Sequence, residues 1–267
     1  APPMTVTADF GSGTQTRTFY TAYFVLDITD PEQDPVLLWS FSQSGMGLST
    51  SYPAVLRVKP ACTSCDKTDS SDAKWFMVVG SGPTGYDGSS AQTGKIFAID
   101  LAAGPKDASS GASLVASFST GDANSFLGDM ITLDAQLDYR VDAAYGGNVI
   151  NNGSNPTWAG KLYRLTTGGG STLTTAWGTA SGTDRVPTVL LATFPTGGAT
   201  KVGPVTAAPT VAADDSNHIW VFFGTGRYYS TTDKTNQDTQ YFFGVKDPVL
   251  TGGCTQSSAT NCQQNDL

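Results

Sequence analysis

A chain of 267 residues with 15 Lys+Arg, 23 Asp+Glu and a formal net charge of −8 is long enough for a sizeable core. The acidic balance and the lack of any basic cluster exclude nucleic acid and anionic membrane surfaces as partners, and no apolar run reaches the ~18 residues needed for membrane insertion. Thirty glycines and 14 prolines punctuate short apolar runs without a sustained 3.6-residue period, which is the pattern of an all-β protein.

The opening "APPMT" has no basic and hydrophobic leader, as in a processed product or a cytosolic protein. "TVTADFGSG" (5–13) reads as a strand ending in glycines, and "AYFVLDITDP" (22–31) and "PVLLWSFS" (35–42) as the next two strands. A second group follows: "PAVLRV" (53–58), "WFMVVGSG" (75–82), "GKIFAID" (94–100) and "SLVASFSTG" (113–121). The third is "DMITLD" (129–134), "VDAAYGG" (141–147), "GKLYRLT" (160–166) and "TVLLATFPTG" (188–197), with a Gly/Ser/Thr stretch at 167–183 read as a long inserted loop. The last strands are "APTVAAD" (208–214), "IWVFFGTG" (219–226) and "QYFFGVKDP" (240–248).

These groups are one unit repeated. "GKIFAID" aligns with "GKLYRLT", "AYFVLDITDP" and "QYFFGVKDP", at spacings of about 65 to 80 residues. A unit of four short antiparallel strands cannot bury both of its faces alone, so such units stack radially into a β-propeller. Only two units are complete; the chain enters in the second strand of one and leaves after the third strand of another. The expectation is an all-β propeller of four-stranded antiparallel blades over 1–248, part of a larger propeller or protein, with a polar tail at 249–267. A β-sandwich is the alternative.

One connection stands out in a charge-poor chain. "DAQLDYRVD" places Asp134, Asp138 and Asp142 four residues apart, with Gln136 between the first two, in the hairpin between two strands of the third group. Side-chain oxygens at positions 1, 3, 5 and 9, with the Arg140 carbonyl at position 7, can converge on a hard cation that takes six to eight oxygens, Ca2+ before Mg2+. Position 6 is Tyr139 rather than glycine and no glutamate follows at position 12, so this is not an EF-hand. Aspartates that form Asx turns and cap strand ends give the same spacing, and the two readings stay open at this point.

Around these residues, "LDAQLDYRVDAAYGG", "WFMVVGSGP", "VLDITDPEQDPVLLWSFS" and "VFFGTGRYYSTTDKTNQDTQYFFGVKDP" resemble the C-terminal β-propeller of PilY-type proteins, from about residue 20 to 248. The resemblance implies a non-enzymatic, extracellular protein at the cell surface or pilus tip, acting in type IV pilus assembly and surface adhesion. It implies minor pilins or the remainder of the same polypeptide as partners; a surface or glycan receptor is a separate expectation. It also implies a Ca2+ loop with Asp134, Gln136, Asp138, Asp142 and the Arg140 carbonyl as ligands, Gln136 departing from the usual Asp or Asn.

The remaining candidates are weaker. Cys62 and Cys65 ("CTSC") lack the histidine of a haem site and the helix of a thioredoxin-like site. A local disulfide is expected there and between Cys254 and Cys262, and paired cysteines favour an oxidising compartment. The single histidine, His218, rules out a multi-histidine metal centre and reads as structural. A quinoprotein-like propeller enzyme is one rival function, although no set of charged side chains for a cofactor is evident. A glycan-binding module is another, with Trp158 and Trp177 in inserted loops, and with Tyr228 and Tyr229 as further candidates for a recognition surface.

Overall fold

The computed structural model describes residues 4–9, 11, 13–19, 21–59, 73–106, 115–153, 157–168, 170–194 and 200–247. The expected disulfides Cys62–Cys65 and Cys254–Cys262, and the tail 249–267, lie outside the described residues. Strands β1 (Met4–Asp9) and β2 (Thr14–Phe19) form a separate antiparallel hairpin. Residues 5–13 therefore do not precede 22–31 in one sheet, as the repeat suggested. The Asp9 carboxylate accepts from the Gly11 and Gly13 amides at 2.9 and 3.2 Å, an Asx turn that folds the chain back onto the threonine-rich β2.

Four sheets follow in chain order. Sheet I pairs β3 (Tyr23–Asp27) with β4 (Val36–Phe41). Sheet II is a meander of β5 (Ala54–Val58), β6 (Lys74–Gly80), β7 (Lys95–Asp100) and β8 (Val115–Ser119). Sheet III starts with β9 (Ser125–Leu133) and β10 (Ala143–Asn151), where the short β11 (Trp158–Ala159) pairs with the far end of β10; β12 (Leu162–Thr166) then pairs along β10. An insertion carries the one-turn helix α1 (Leu173–Ala176) and a hairpin of β13 (Thr179–Ser181) and β14 (Asp184–Val186) before β15 (Thr188–Leu191) completes sheet III. Sheet IV holds β16 (Thr210–Ala213), β17 (Ile219–Gly224) and β18 (Phe242–Lys246).

Period-2 alternation explains why the sheets stack. In β6 and β7, Phe76, Val78, Ile96 and Ala98 join a core with Leu127, Ala144, Tyr163 and Leu165 of sheet III. The alternate residues Met77, Val79, Phe97 and Ile99 pack instead with Phe41 and Met46 of the preceding segment, beside Tyr23 and Trp39 of sheet I. Sheet III does likewise: Ala143, Tyr145 and Leu162 point to Val221, Phe223 and Val245 of sheet IV. Both faces of sheets II and III are thus buried, as a stack of one-faced cores requires.

Register supports the internal repeat. Gly80 pairs with Ile96, Gly147 with Leu162 and Gly224 with Phe242, so the three units align residue for residue. Two of these glycines sit tight against the neighbouring segment of the stack. A Cβ on Gly80 would lie 2.3 Å from the Leu127 Cβ, and one on Gly147 would lie 2.2 Å from the Val205 Cβ. The equivalences also show which faces are open. Ile96 and Leu162 are fully buried against the next sheet, but Phe242 in sheet IV is 74% exposed. On sheet I, Phe24 is 65% exposed.

The insertion expected as a loop is a plug. Trp177 is fully buried between sheets II and III, edge-on to Phe76 at 5.2 Å and stacked on Phe118 at 6.2 Å. Its Nε1 donates to the Gly170 carbonyl at 2.7 Å, and Arg185 donates to the carbonyls of Ala176, Trp177 and Gly178. A side chain so enclosed cannot meet a glycan, and Trp177 is withdrawn from the recognition surface.

Candidate metal loop and surface aromatic residues

The nine residues 134–142 connect β9 and β10 directly, since Leu133 pairs with Ala143. The loop is closed by its own carboxylates. Asp134 accepts from the Asp138 amide through Oδ1 (3.1 Å) and from the Tyr139 amide through Oδ2 (2.7 Å). Asp138 Oδ1 accepts from the Arg140 amide (3.0 Å), and Asp142 Oδ2 accepts from the Ala135 amide (2.7 Å). Sheet II fixes the outside of the loop: Arg57 Nη1 donates to the Tyr139 carbonyl (2.9 Å), and Arg140 Nε donates to the Lys59 carbonyl (2.9 Å). Leu137 and Tyr139 take the left-handed conformation, with φ of 54° and 63°. Tyr139 stands at the position where an EF-hand has glycine, and it makes the same sharp turn at a conformational cost of about 1–2 kcal/mol.

Electrostatics sets Asp142 apart. Burial pushes its carboxyl above the usual range; the bond from the Ala135 amide opposes this, and the Asp134 and Asp138 charges add to it. The end of the Gln136 amide lies 2.8 and 2.7 Å from the two Asp142 oxygens. With its nitrogen there the amide donates to both carboxylate oxygens. The donor set is all oxygen, which suits a hard cation. Among the described residues, however, no three His, Cys, Asp or Glu side chains stand close enough together to hold a metal ion. The five expected ligands thus share one loop whose carboxylates engage its own amides.

The other candidates have defined places. His218 Nδ1 lies 2.9 Å from Asp214 Oδ2, which also accepts from Trp220 Nε1 at 3.0 Å, while Asp214 Oδ1 takes the amides of Ser216 and His218. These bonds, led by that from Trp220, hold the Asp214 carboxyl well below the usual range, and the group locks the β16–β17 turn. Tyr228 is 65% exposed, whereas Tyr229 packs edge-on to Phe126 at 5.4 Å. Trp158 carries the Arg227 guanidinium 3.5 Å above its ring. Sequence reasoning missed Arg227, which reads as part of a glycine turn and whose bond to the Asp87 carbonyl (2.6 Å) spans 140 residues.

The stacked antiparallel sheets, their open end faces and the acidic hairpin define a class: a multi-sheet β domain assembled from one repeated antiparallel unit. No protein-family model matches the chain. Two curated relatives do, both described as type IV pilus biogenesis factor PilY1 homologs of Xylella fastidiosa, at 26% identity over 232 residues and 23% over 249. The matches cover 85% and 88% of this chain but 15% of each relative. The crystal structure of the Pseudomonas aeruginosa PilY1 C-terminal domain superposes with a TM-score of 0.60 at 20% identity, covering 96% of this chain and 51% of that one. The chain is similar in sequence to these PilY1 homologs over most of its length, and it shares the fold of the PilY1 C-terminal domain.

Proposed function

We propose that the chain is a β-propeller segment of an extracellular, non-enzymatic type IV pilus biogenesis factor, acting at the cell surface in pilus assembly and adhesion. The observation that carries this reading is the homology over 85% of the chain to PilY1 homologs, together with the shared fold. The chain spans 15% of the length of those relatives, so the partners in this reading are the remaining sheets of a longer polypeptide and the pilus proteins it meets. The end faces support that arrangement. Phe242 on sheet IV and Phe24 on sheet I are exposed at positions whose counterparts elsewhere in the stack face a neighbouring sheet. Covering such rows stabilises by about 25 cal/mol per Å2 of apolar surface. In-frame deletion of this segment in the source bacterium tests the reading: loss of surface pili and of surface attachment is expected, and unchanged piliation would overturn it.

Calcium in the 134–142 loop belongs to the same reading. Asp134, Asp138, Asp142, Gln136 through its amide oxygen and the Arg140 carbonyl would hold the ion, which would neutralise three neighbouring carboxylates and rigidify the hairpin. The all-oxygen donor set within nine residues supports it, with three carboxylates on the hairpin that Leu133 and Ala143 close. Calorimetric titration with CaCl2 is expected to show binding that Asp134→Ala and Asp142→Ala abolish. No heat at millimolar calcium would leave the aspartates as turn caps.

A further inference from the structure

A cavity of about 520 Å3 opens between β11, the 200–204 segment and the 226–241 segment, lined by Trp158, Lys201, Arg227, Asp238, Gln240 and Tyr241 among others. We propose that it is a binding site for a neutral saccharide, a function that goes beyond the pilus-biogenesis reading and does not depend on it. Its volume falls within the range of about 300–1,000 Å3 typical of small-ligand sites.

The back wall is rigid. The Arg227 side chain is 5% exposed and the Asp233 side chain 6%, and they pair at 3.3 Å. The Arg227 guanidinium also lies on the Trp158 ring and donates to the Asp87 carbonyl. Asp233 is held in turn by the amides of Tyr229 and Ser230 at 2.8 and 2.9 Å. A wall fixed by this many bonds loses little freedom when a ligand arrives, and such preorganisation is what makes weak polar contacts productive.

The rim is mixed rather than charged. Lys201 and Arg227 are balanced by Asp233 and Asp238, so the lining favours neither an anion nor a cation. Exposed Asp238 takes the Asn236 side-chain amide on Oδ2 (3.1 Å) and keeps further acceptor capacity. Lys201, which donates to Asn152 Oδ1 (3.0 Å), and Gln240, whose Nε2 donates to the Asp238 carbonyl (3.0 Å), each keep further donor hydrogens. Tyr241, 42% exposed and backed edge-on by Phe194 at 4.6 Å, adds a supported aromatic ring. Hydroxyls that both donate and accept, carried on a ring with apolar C–H faces, match donors and acceptors interspersed with aromatic side chains. Neutral hexoses and N-acetylhexosamines have that chemistry.

The test is a printed array of neutral mono- to tetrasaccharides probed with the intact polypeptide, followed by calorimetry with each sugar that binds. The expected result is binding that weakens about ten-fold in Asp238→Ala, the loss of one charge-assisted hydrogen bond. Lys201→Met is expected to weaken it as well, while Tyr86→Ala, an exposed change outside the cavity, leaves it unaltered. Both test residues are exposed, and unchanged melting temperatures separate lost binding from lost fold. No saccharide bound at millimolar concentration, binding by both cavity variants as tight as by the unaltered chain, or capture of peptides instead of sugars by the same residues would overturn the assignment.

Discussion

Removing Asp247 is the sharpest perturbation available to the stack. Arg164 of β12 and Asp247, just after β18, form an ion pair with side chains 1% and 0% exposed, and Asp247 Oδ2 also accepts from the Tyr145 hydroxyl at 2.8 Å. Sheet III is thereby bolted to sheet IV inside the buried core. Asp247→Ala leaves a guanidinium buried without its counter-charge, at a cost of about 3–5 kcal/mol. The stranded Tyr145 hydroxyl raises the cost further, since an unpaired buried donor costs about 1–3 kcal/mol. For a chain of this size each kcal/mol moves the melting midpoint by roughly 2–4 °C, so a fall of at least about 8 °C is expected in thermal unfolding followed by circular dichroism. The triple change Arg164→Met, Tyr145→Phe, Asp247→Leu is expected to recover most of the loss, because an apolar replacement removes the buried charge altogether. A midpoint lowered by less than about 2 °C in Asp247→Ala would refute the reasoning.

Trp177→Ala is expected to cost about 3–5 kcal/mol in urea unfolding, because the ring fills the space between Phe76 and Phe118. Tyr139→Gly is expected to raise stability by about 1 kcal/mol, since the ring is 56% exposed and the backbone is left-handed. The pH dependence follows from Asp142. Its folded pKa lies above the ordinary value, so its contribution is fully present below the unfolded pKa and lost as pH rises through the folded one. In chelator, the stability difference between the unaltered chain and Asp142→Asn is expected to change across that acidic window, and calcium is expected to alter that change; an identical difference with and without calcium would count against the loop as a metal site.

Much of this architecture was legible because it is local or periodic. The alignment of "GKIFAID" with "GKLYRLT" carries through to the pairing of Gly80 with Ile96 and of Gly147 with Leu162. The acidic hairpin was equally plain, lying between two strand patterns nine residues apart. What escaped depends on contacts distant in sequence. Trp177 sits in a Gly/Ser/Thr stretch with no period of its own, and only the assembled sheets show the gap it fills. The Arg164–Asp247 pair joins residues 83 apart, and no local pattern announces it. Residues 5–13 failed differently: an Asx turn at Asp9 outweighed the resemblance to a blade strand.

The central claim is that the outer faces of sheets I and IV are joints to neighbouring sheets of a longer polypeptide. Phe24→Cys and Phe242→Cys, each labelled with a water-soluble maleimide and read by peptide mapping, test it directly. In the isolated 267-residue chain both positions are expected to label fast, since the side chains they replace are 65% and 74% exposed. In the intact polypeptide they are expected to label at least about a hundred-fold more slowly, as buried positions that open only on local unfolding do. Equal rates in the two forms would contradict the account.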